Sequence, residues 1–220
     1  MRLLLREPVN ALTHLLGAVL SIIGLVILIV AAINHGSARD IAAVSIFGGS
    51  LVAMYGVSAV YHASTLSERG LGHFQRIDHV MIYILIAGTY TPVCLVVLRG
   101  RLGLGLLIAV WTLAAIGTFQ KVLWMRAPRW LSTALYLGMG WIALPLVKPL
   151  LNAASPGFFL WLLAGGVAYS LGAVVYAAKW PRGGAKVFGS HEIWHLFVMA
   201  GSFAHYWAIL AYVAKATAPS

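Results

Sequence analysis

Two histidines near the carboxyl end of the chain, His191 and His195, have a spacing that suits a shared metal ion. They stand four positions apart, so on a helix their imidazoles lie on one face, one turn apart. That arrangement lets both rings bind a single zinc ion at about 2.0–2.1 Å each. Residues 196–213 carry no formal charge. The pair therefore lies at the mouth of a predicted membrane helix, where ionisable groups indicate a functional site.

Other polar residues fall at the same end of other apolar segments. His62 closes the second segment, Ser58 lies one turn before it on the same face, and Asp78 is predicted to open the third segment. Three imidazoles with an open fourth position are the ligand set of a catalytic zinc site. The predicted ligands are His62, His191 and His195. Asp78 would hold the zinc-activated water and accept its proton, and Ser58 would donate a nearby hydrogen bond.

Four further polar residues belong to the first and last segments. Glu7, Asn10 and His14 recur at i, i+3 and i+7 at the start of the first segment, which predicts a polar stripe at the same depth. His205 shares a face with His191 but lies about 21 Å further along the helix axis. His205 therefore cannot bind the same ion, and we expect it to make a separate polar contact deep in the bundle.

The string from His191 to His195 also satisfies the H-E-x-x-H pattern of zinc proteases, in which the glutamate, here Glu192, is the general base. The pattern is short and weak by itself. Such a protease also needs a third ligand, commonly a carboxylate from a later segment. No acidic residue follows Glu192 in the sequence, so the three-histidine interpretation is favoured.

The composition is that of an integral membrane protein. Of the 220 residues, 61% are hydrophobic and 9% charged, with a mean hydropathy of +0.91. Apolar segments of this length cross a bilayer core of about 30 Å. They are predicted to be helices, because a helix pairs its own backbone groups in hydrocarbon. We predict an all-α protein with seven transmembrane helices in a single domain, residues 1–220, with the helices at 11–33, 41–62, 77–98, 102–119, 130–147, 158–178 and 191–213.

Prolines and glycines within these segments predict local features. Pro92 and Pro145 are expected to kink their helices or unwind a turn, which membrane helices tolerate. Three glycine pairs are expected to allow close helix packing: Gly48 with Gly49, Gly138 with Gly140, and Gly165 with Gly166.

The distribution of basic residues predicts the orientation. The net charge is +10, but lysine and arginine fall almost entirely between apolar segments, so lipid headgroups and topology explain them and no nucleic-acid partner is implied. Ten of the 15 basic residues lie at the end of the bundle that holds the N-terminus, and five lie at the other end: Arg39, Arg99, Arg101, Lys148 and Lys215. This bias predicts a cytoplasmic N-terminus and an outside C-terminus.

Together the motifs resemble those of the hemolysin III group of bacterial membrane proteins, within the wider family of progestin and adiponectin receptors. The resemblance covers essentially the whole chain and rests on Glu7-Pro8-Val9-Asn10, Thr13-His14, Ser58-Ala59-Val60-Tyr61-His62, Asp78, and His191-x-x-x-His195 with His205. It implies seven helices in the bacterial inner membrane with a cytoplasmic N-terminus. It also implies zinc held by the histidines at 62, 191 and 195, with the aspartate and serine at 78 and 58 beside the metal.

Receptor relatives in this family resemble lipid amide hydrolases, so our leading hypothesis is a zinc-dependent hydrolase of a lipid amide or ester at the cytoplasmic leaflet. Membrane lipid is the expected partner, no soluble protein partner is implied, and the oligomeric state stays open. One alternative is a non-catalytic sensor or regulator of lipid composition or fluidity with a structural zinc. Another is a haemolysin-like, membrane-active protein. Ion transport is disfavoured, because only His205 continues the polar stripe across the outer half of the membrane.

Overall fold

A computed structural model describes residues 5–35, 37–125, 127–181 and 188–215, and in these ranges the chain is helical with no strands. The helices are α1 Pro8–His35, α2 Ala38–Ala63, α3 Glu68–Pro92, α4 Gly100–Leu123, α5 Arg129–Trp141, α6 Val147–Ala153, α7 Pro156–Ala178 and α8 Ser190–Lys215. A π-helical segment, Val93–Leu98, continues α3, and a 3-10 turn, Leu144–Leu146, joins α5 to α6.

Seven stretches of the described chain are long and apolar enough to cross a membrane, because α5, the 3-10 turn and α6 together make one span. The prediction of seven transmembrane helices is therefore confirmed. Large apolar side chains such as Leu12, Leu16 and Ile23 on α1 are about half exposed on the outer surface, where lipid chains replace water as the solvent. The chain is a multi-pass membrane protein.

The helices pack as a closed ring. Helix α1 lies between α2 and α8, α2 packs on α3, and α3 packs on α4. Helix α5 contacts α3, α4 and α7, and α7 packs along α8, which completes the ring. Leu28, Phe47 and Ile209 are almost completely buried in the core shared by α1, α2 and α8. This packing brings the start of α1, the end of α2 and the start of α8 together at one end of the ring.

Both prolines predicted to disturb their helices do so. Pro92 is the last residue of α3, and the backbone continues from it as the π-helical segment Val93–Leu98. Pro145 lies in the 3-10 turn Leu144–Leu146. Proline has no backbone N–H to continue the α-helical hydrogen-bond ladder, so each interruption occurs where the sequence predicts it.

Helix α3 begins earlier than predicted, at Glu68 rather than at residue 77. Ser67 caps it, its hydroxyl accepting a hydrogen bond from the Gly70 backbone N–H at 3.4 Å. The prediction that Asp78 opens this helix is therefore wrong, and Asp78 lies about three turns inside it. The error arises because apolar character locates only the part of a helix that lies in hydrocarbon, and the first turns of α3 are polar.

Only some of the predicted glycine contacts form. A Cβ atom on Gly48 would lie 2.6 Å from Leu25 Cδ1, and one on Gly165 would lie 2.7 Å from His205 Nε2, so neighbouring helices approach closely at both positions. Successive residues on a helix point about 100° apart, so two adjacent glycines do not face the same neighbour. The prediction of close packing is wrong for three glycines, whose added Cβ would meet no atom within 4 Å: Gly49, Gly138 and Gly140.

Replacing Gly48 with alanine is expected to lower the free energy of unfolding by about 1–3 kcal/mol, because the new methyl group overlaps Leu25 at the α1–α2 contact. Unfolding in detergent, followed by circular dichroism, measures the change. Gly49→Ala is the matched control. It should leave stability unchanged or raise it by up to about 1 kcal/mol, because alanine is the better helix former. Equal losses in the two variants would contradict this packing.

Candidate metal centre

Three histidines from two helices meet at one end of the ring. His62 lies in the last turn of α2, and His191 and His195 lie in the first two turns of α8. One ring nitrogen of each lies within 4.8 Å of the others. The Nε2 atoms of His62 and His191 are 3.3 Å apart, close to the roughly 3.4 Å that separates two nitrogens bound tetrahedrally to one zinc ion.

The burial of these rings fits a metal ion. His62 and His195 are 1% and 2% exposed. The centroid of the His195 ring lies 4.9 Å from that of His62 and 4.6 Å from that of His191. The neutral imidazole nitrogen is a common metal ligand. The predicted ligand set is thus assembled, and this group could hold one metal ion.

A carboxylate fixes the orientation of one of the three rings. The Nδ1–H of His62 donates to Glu7 Oε2 at 2.6 Å, and the Glu7 backbone N–H donates to the His62 carbonyl at 3.0 Å. The hydrogen bond from His62 lowers the pKa of Glu7 to about 2, although partial burial opposes that shift. An ionised Glu7 holds the proton on Nδ1, which leaves the His62 Nε2 lone pair free for a metal ion.

Glu192 links helices and is not placed as a general base. The buried Asn10 side-chain amide donates to Glu7 Oε2 at 3.1 Å and to Glu192 Oε1 at 2.8 Å. The other oxygen of Glu192 accepts a hydrogen bond from the Gly189 backbone N–H at 2.8 Å. Glu192 therefore ties the start of α8 to α1, a contact that argues against the protease interpretation.

His14, the third member of the predicted polar stripe, packs directly on the centre. Its ring stacks on the ring of His195, with centroids 3.5 Å apart, and meets the Tyr55 ring edge-on at 5.0 Å. Both ring nitrogens of His14 are buried without a hydrogen-bond partner among the described residues. The sequence placed His14 at the right depth but did not indicate this stacking.

A cavity of about 690 Å³ lies inside the ring, and two of the three histidines, His191 and His195, line it. Ser58 and Asp78 line the same cavity. Most of the remaining wall is apolar and comes from α3, α5 and α7. The structure therefore places Ser58 and Asp78, the two residues predicted to assist chemistry, on the cavity that His191 and His195 line. Asp78 reaches it from the interior of α3 and not from the start of that helix.

His205 makes a separate contact far from the three histidines. It lies about 15 Å along α8 from His195, and its Nε2–H donates to the Leu162 carbonyl at 3.2 Å. Its ring stacks on Tyr169, with centroids 5.6 Å apart. The hydroxyl of Tyr169 is in turn 2.8 Å from Ser202 Oγ. This deep polar contact agrees with the role expected for His205.

Two residues near the centre have roles that sequence reasoning missed. Glu192 bonds to Asn10, 182 positions away, and no local pattern signals such a contact. Lys121 entered only the orientation count, yet it is 4% exposed and lines the cavity. Its position could have indicated this place on the cavity, because Lys121 lies in the last turn of α4, at the same end of the bundle as Asp78.

Removing the Glu7 carboxylate is expected to weaken metal binding by about 10–100-fold, the usual effect of deleting a partner that orients a ligand histidine. Zinc competition against a chelating dye, with Glu7→Ala in detergent, measures this loss. Glu7→Gln keeps an acceptor oxygen without the charge and should fall between wild type and Glu7→Ala. Glu68→Ala, which removes an exposed carboxylate from the first turn of α3, should bind as wild type does. Unchanged affinity in Glu7→Ala would refute the orienting role.

Comparison with known proteins agrees with this architecture. The model of a family described as "Haemolysin-III related" matches residues 3–206. A hemolysin-3 homolog of Bacillus subtilis is 43% identical over 209 residues, 95% of each chain. The hemolysin-3 of Bacillus cereus is 43% identical over 208 residues, 94% of this chain and 91% of its own. An adiponectin receptor protein of Drosophila melanogaster is 25% identical over 92% of this chain and 50% of its own. The chain belongs to the haemolysin III family and is a more distant relative of the adiponectin receptors.

Proposed function

We propose that this protein is a zinc-dependent hydrolase of a lipid amide or ester. One observation carries the proposal. Two of the three clustered histidines, His191 and His195, line a largely apolar cavity, and Asp78 and Ser58 line it with them. Its volume of about 690 Å³ lies within the range of small-molecule sites. An apolar cavity inside a membrane suits an acyl chain.

The donor set supports zinc as the metal. His62, His191 and His195 offer three neutral nitrogen ligands, and three histidines with one open position are typical of a catalytic zinc site, whereas structural sites use four protein ligands. Zinc bound there would polarise a carbonyl oxygen and lower the pKa of a water molecule to about 7.

The chain itself supplies proton transfer and positioning. Asp78 takes the proton from the water that attacks the acyl carbon. It returns that proton to the departing amine or alcohol as the C–N or C–O bond breaks, so a fatty acid and an amine or alcohol are released. Ser58 donates a hydrogen bond to the substrate. The apolar walls from α3, α5 and α7 hold the acyl chain and exclude bulk water.

The charge distribution supports a site that faces the cytoplasmic leaflet. The candidate centre lies where α2 ends and α8 begins, on the side of the membrane to which the sequence pattern assigns ten of the 15 basic residues. Basic residues mark the cytoplasmic side of membrane proteins. Substrate would thus enter from the cytoplasmic leaflet of the bacterial inner membrane.

Asp78→Asn is expected to lower hydrolysis at least 100-fold, because general acid–base residues contribute about 10²–10⁴-fold to rate, while zinc content stays at the wild-type level. Fatty acid released from lipid amides and esters in nanodiscs, measured by mass spectrometry, tests this. Asp40→Asn removes a carboxylate from the opposite end of the bundle, in the first turn of α2, and should keep wild-type activity. Turnover in Asp78→Asn equal to wild type would refute the assigned role.

A non-catalytic role is the second candidate, and one observation favours it. The three histidines come from α2 and α8, so a bound metal would clamp two helices of the ring together. Such a clamp stabilises the fold, and it turns over no lipid. If chelation lowers the unfolding temperature while no amide or ester is hydrolysed by the metal-loaded protein, the clamp and not the hydrolase is the function.

A further inference from the structure

Lys121 is a buried lysine without an acidic partner in the described part of the chain. It lies in the last turn of α4 and is 4% exposed. Among the described residues, Arg6 is the only lysine or arginine within ion-pair distance of a carboxylate, that of Glu7. Buried charges are normally paired, because moving a charge out of water carries a large free-energy cost that only an opposite charge or hydrogen bonds can offset. The carboxyl end of α4 favours a cation but provides no anion.

The side chain of Lys121 borders the central cavity, from which a ligand can reach it. Lys121 lines the same cavity as His191 and Asp78. Arg76, on the exposed early part of α3, lines that cavity as well, next to Gln75. Both cations and the Gln75 amide border the same cavity, Lys121 from α4 and the other two from α3, so one ligand inside it can meet donors from both helices. Arginine stays charged at any physiological pH and binds phosphate through two parallel hydrogen bonds.

We propose that Lys121 and Arg76 form a binding site for the phosphate group of a single-chain lipid. The chemistry of the cavity divides such a ligand into three parts. The acyl carbonyl belongs at the histidine cluster and the chain belongs against the apolar wall, so an anion at Lys121 is a third group, the headgroup. A phosphate offers three strong acceptor oxygens, enough for Lys121, Arg76 and the Gln75 amide at once.

The assignment of this site to the headgroup of a substrate rests on the proposed function. The proposal that the site binds a lipid phosphate does not depend on that function. Ether-linked lipids contain no amide or ester, so their binding is independent of hydrolysis. A failure of the proposed hydrolase reaction would therefore leave a binding measurement with such lipids fully interpretable.

The test compares two ether lipids with the same alkyl chain, 1-alkyl-glycerol 3-phosphate and 1-alkyl-glycerol. Isothermal titration calorimetry of the full protein in a nonionic detergent measures both affinities. The phosphate lipid is expected to bind at least about tenfold more tightly, the effect of one charge-assisted contact. Lys121→Gln should reduce this preference to less than about threefold. Lys121→Arg, which keeps the charge, should restore it.

Lys179→Gln is the matched control. Lys179 is an exposed lysine that ends α7 at the same end of the bundle, so it shares the general attraction for anionic lipid but does not line the cavity. This variant should keep the wild-type preference. A wild-type preference below about threefold, or a preference that survives Lys121→Gln, would overturn the proposal. Tight binding of inorganic phosphate alone, lost in Lys121→Gln and with no lipid preference, would overturn the lipid assignment and identify a free-phosphate site.

Discussion

The hydrogen bond between His62 and Glu7 is the contact on which the rest of the centre depends. It joins the end of α2 to the start of α1 at 2.6 Å and directs the Nε2 atom of His62 toward the rings of α8. Through Asn10 the same carboxylate connects to Glu192 at the start of α8. Polar groups are costly next to hydrocarbon unless they are paired. This network therefore holds three helices in the one arrangement that brings the histidines together.

The ring of helices turns that cluster into a site. Helices α1, α2 and α8 form the tightly packed side with the apolar core, whereas α3, α5 and α7 surround a cavity next to the histidines. Most ionisable residues that line the cavity lie at the end next to the histidine cluster, and most of its wall is apolar. This asymmetry matches a lipid with a polar headgroup and an apolar chain. Membership of the haemolysin III family does not by itself specify a reaction. The proposed chemistry therefore rests on the histidine cluster and the residues that line the cavity.

Much of this architecture could be predicted from the sequence, and particular residues show why. Charge-free segments predicted the seven spans, and the i, i+4 spacing of His191 and His195 predicted two members of the histidine cluster. The predicted start of α3 was wrong because its first turns are polar, and apolar character does not mark them as helical. Contacts between residues that are distant in sequence could not be predicted either. The stacking of His14 on His195 and the bond between Asn10 and Glu192 depend on how α1 packs on α8, which no local pattern encodes.

We propose that His62, His191 and His195 bind one zinc ion together. X-ray absorption at the zinc edge of the purified protein is the decisive experiment, because the spectrum reports both the ligand type and the bond length. We expect about one zinc per chain, with histidine nitrogens at about 2.0–2.1 Å and no sulfur ligand. This signal should be lost in His195→Ala and kept in His205→Ala. Protein that retains no zinc, or zinc whose environment is unchanged in His195→Ala, would contradict a shared zinc site.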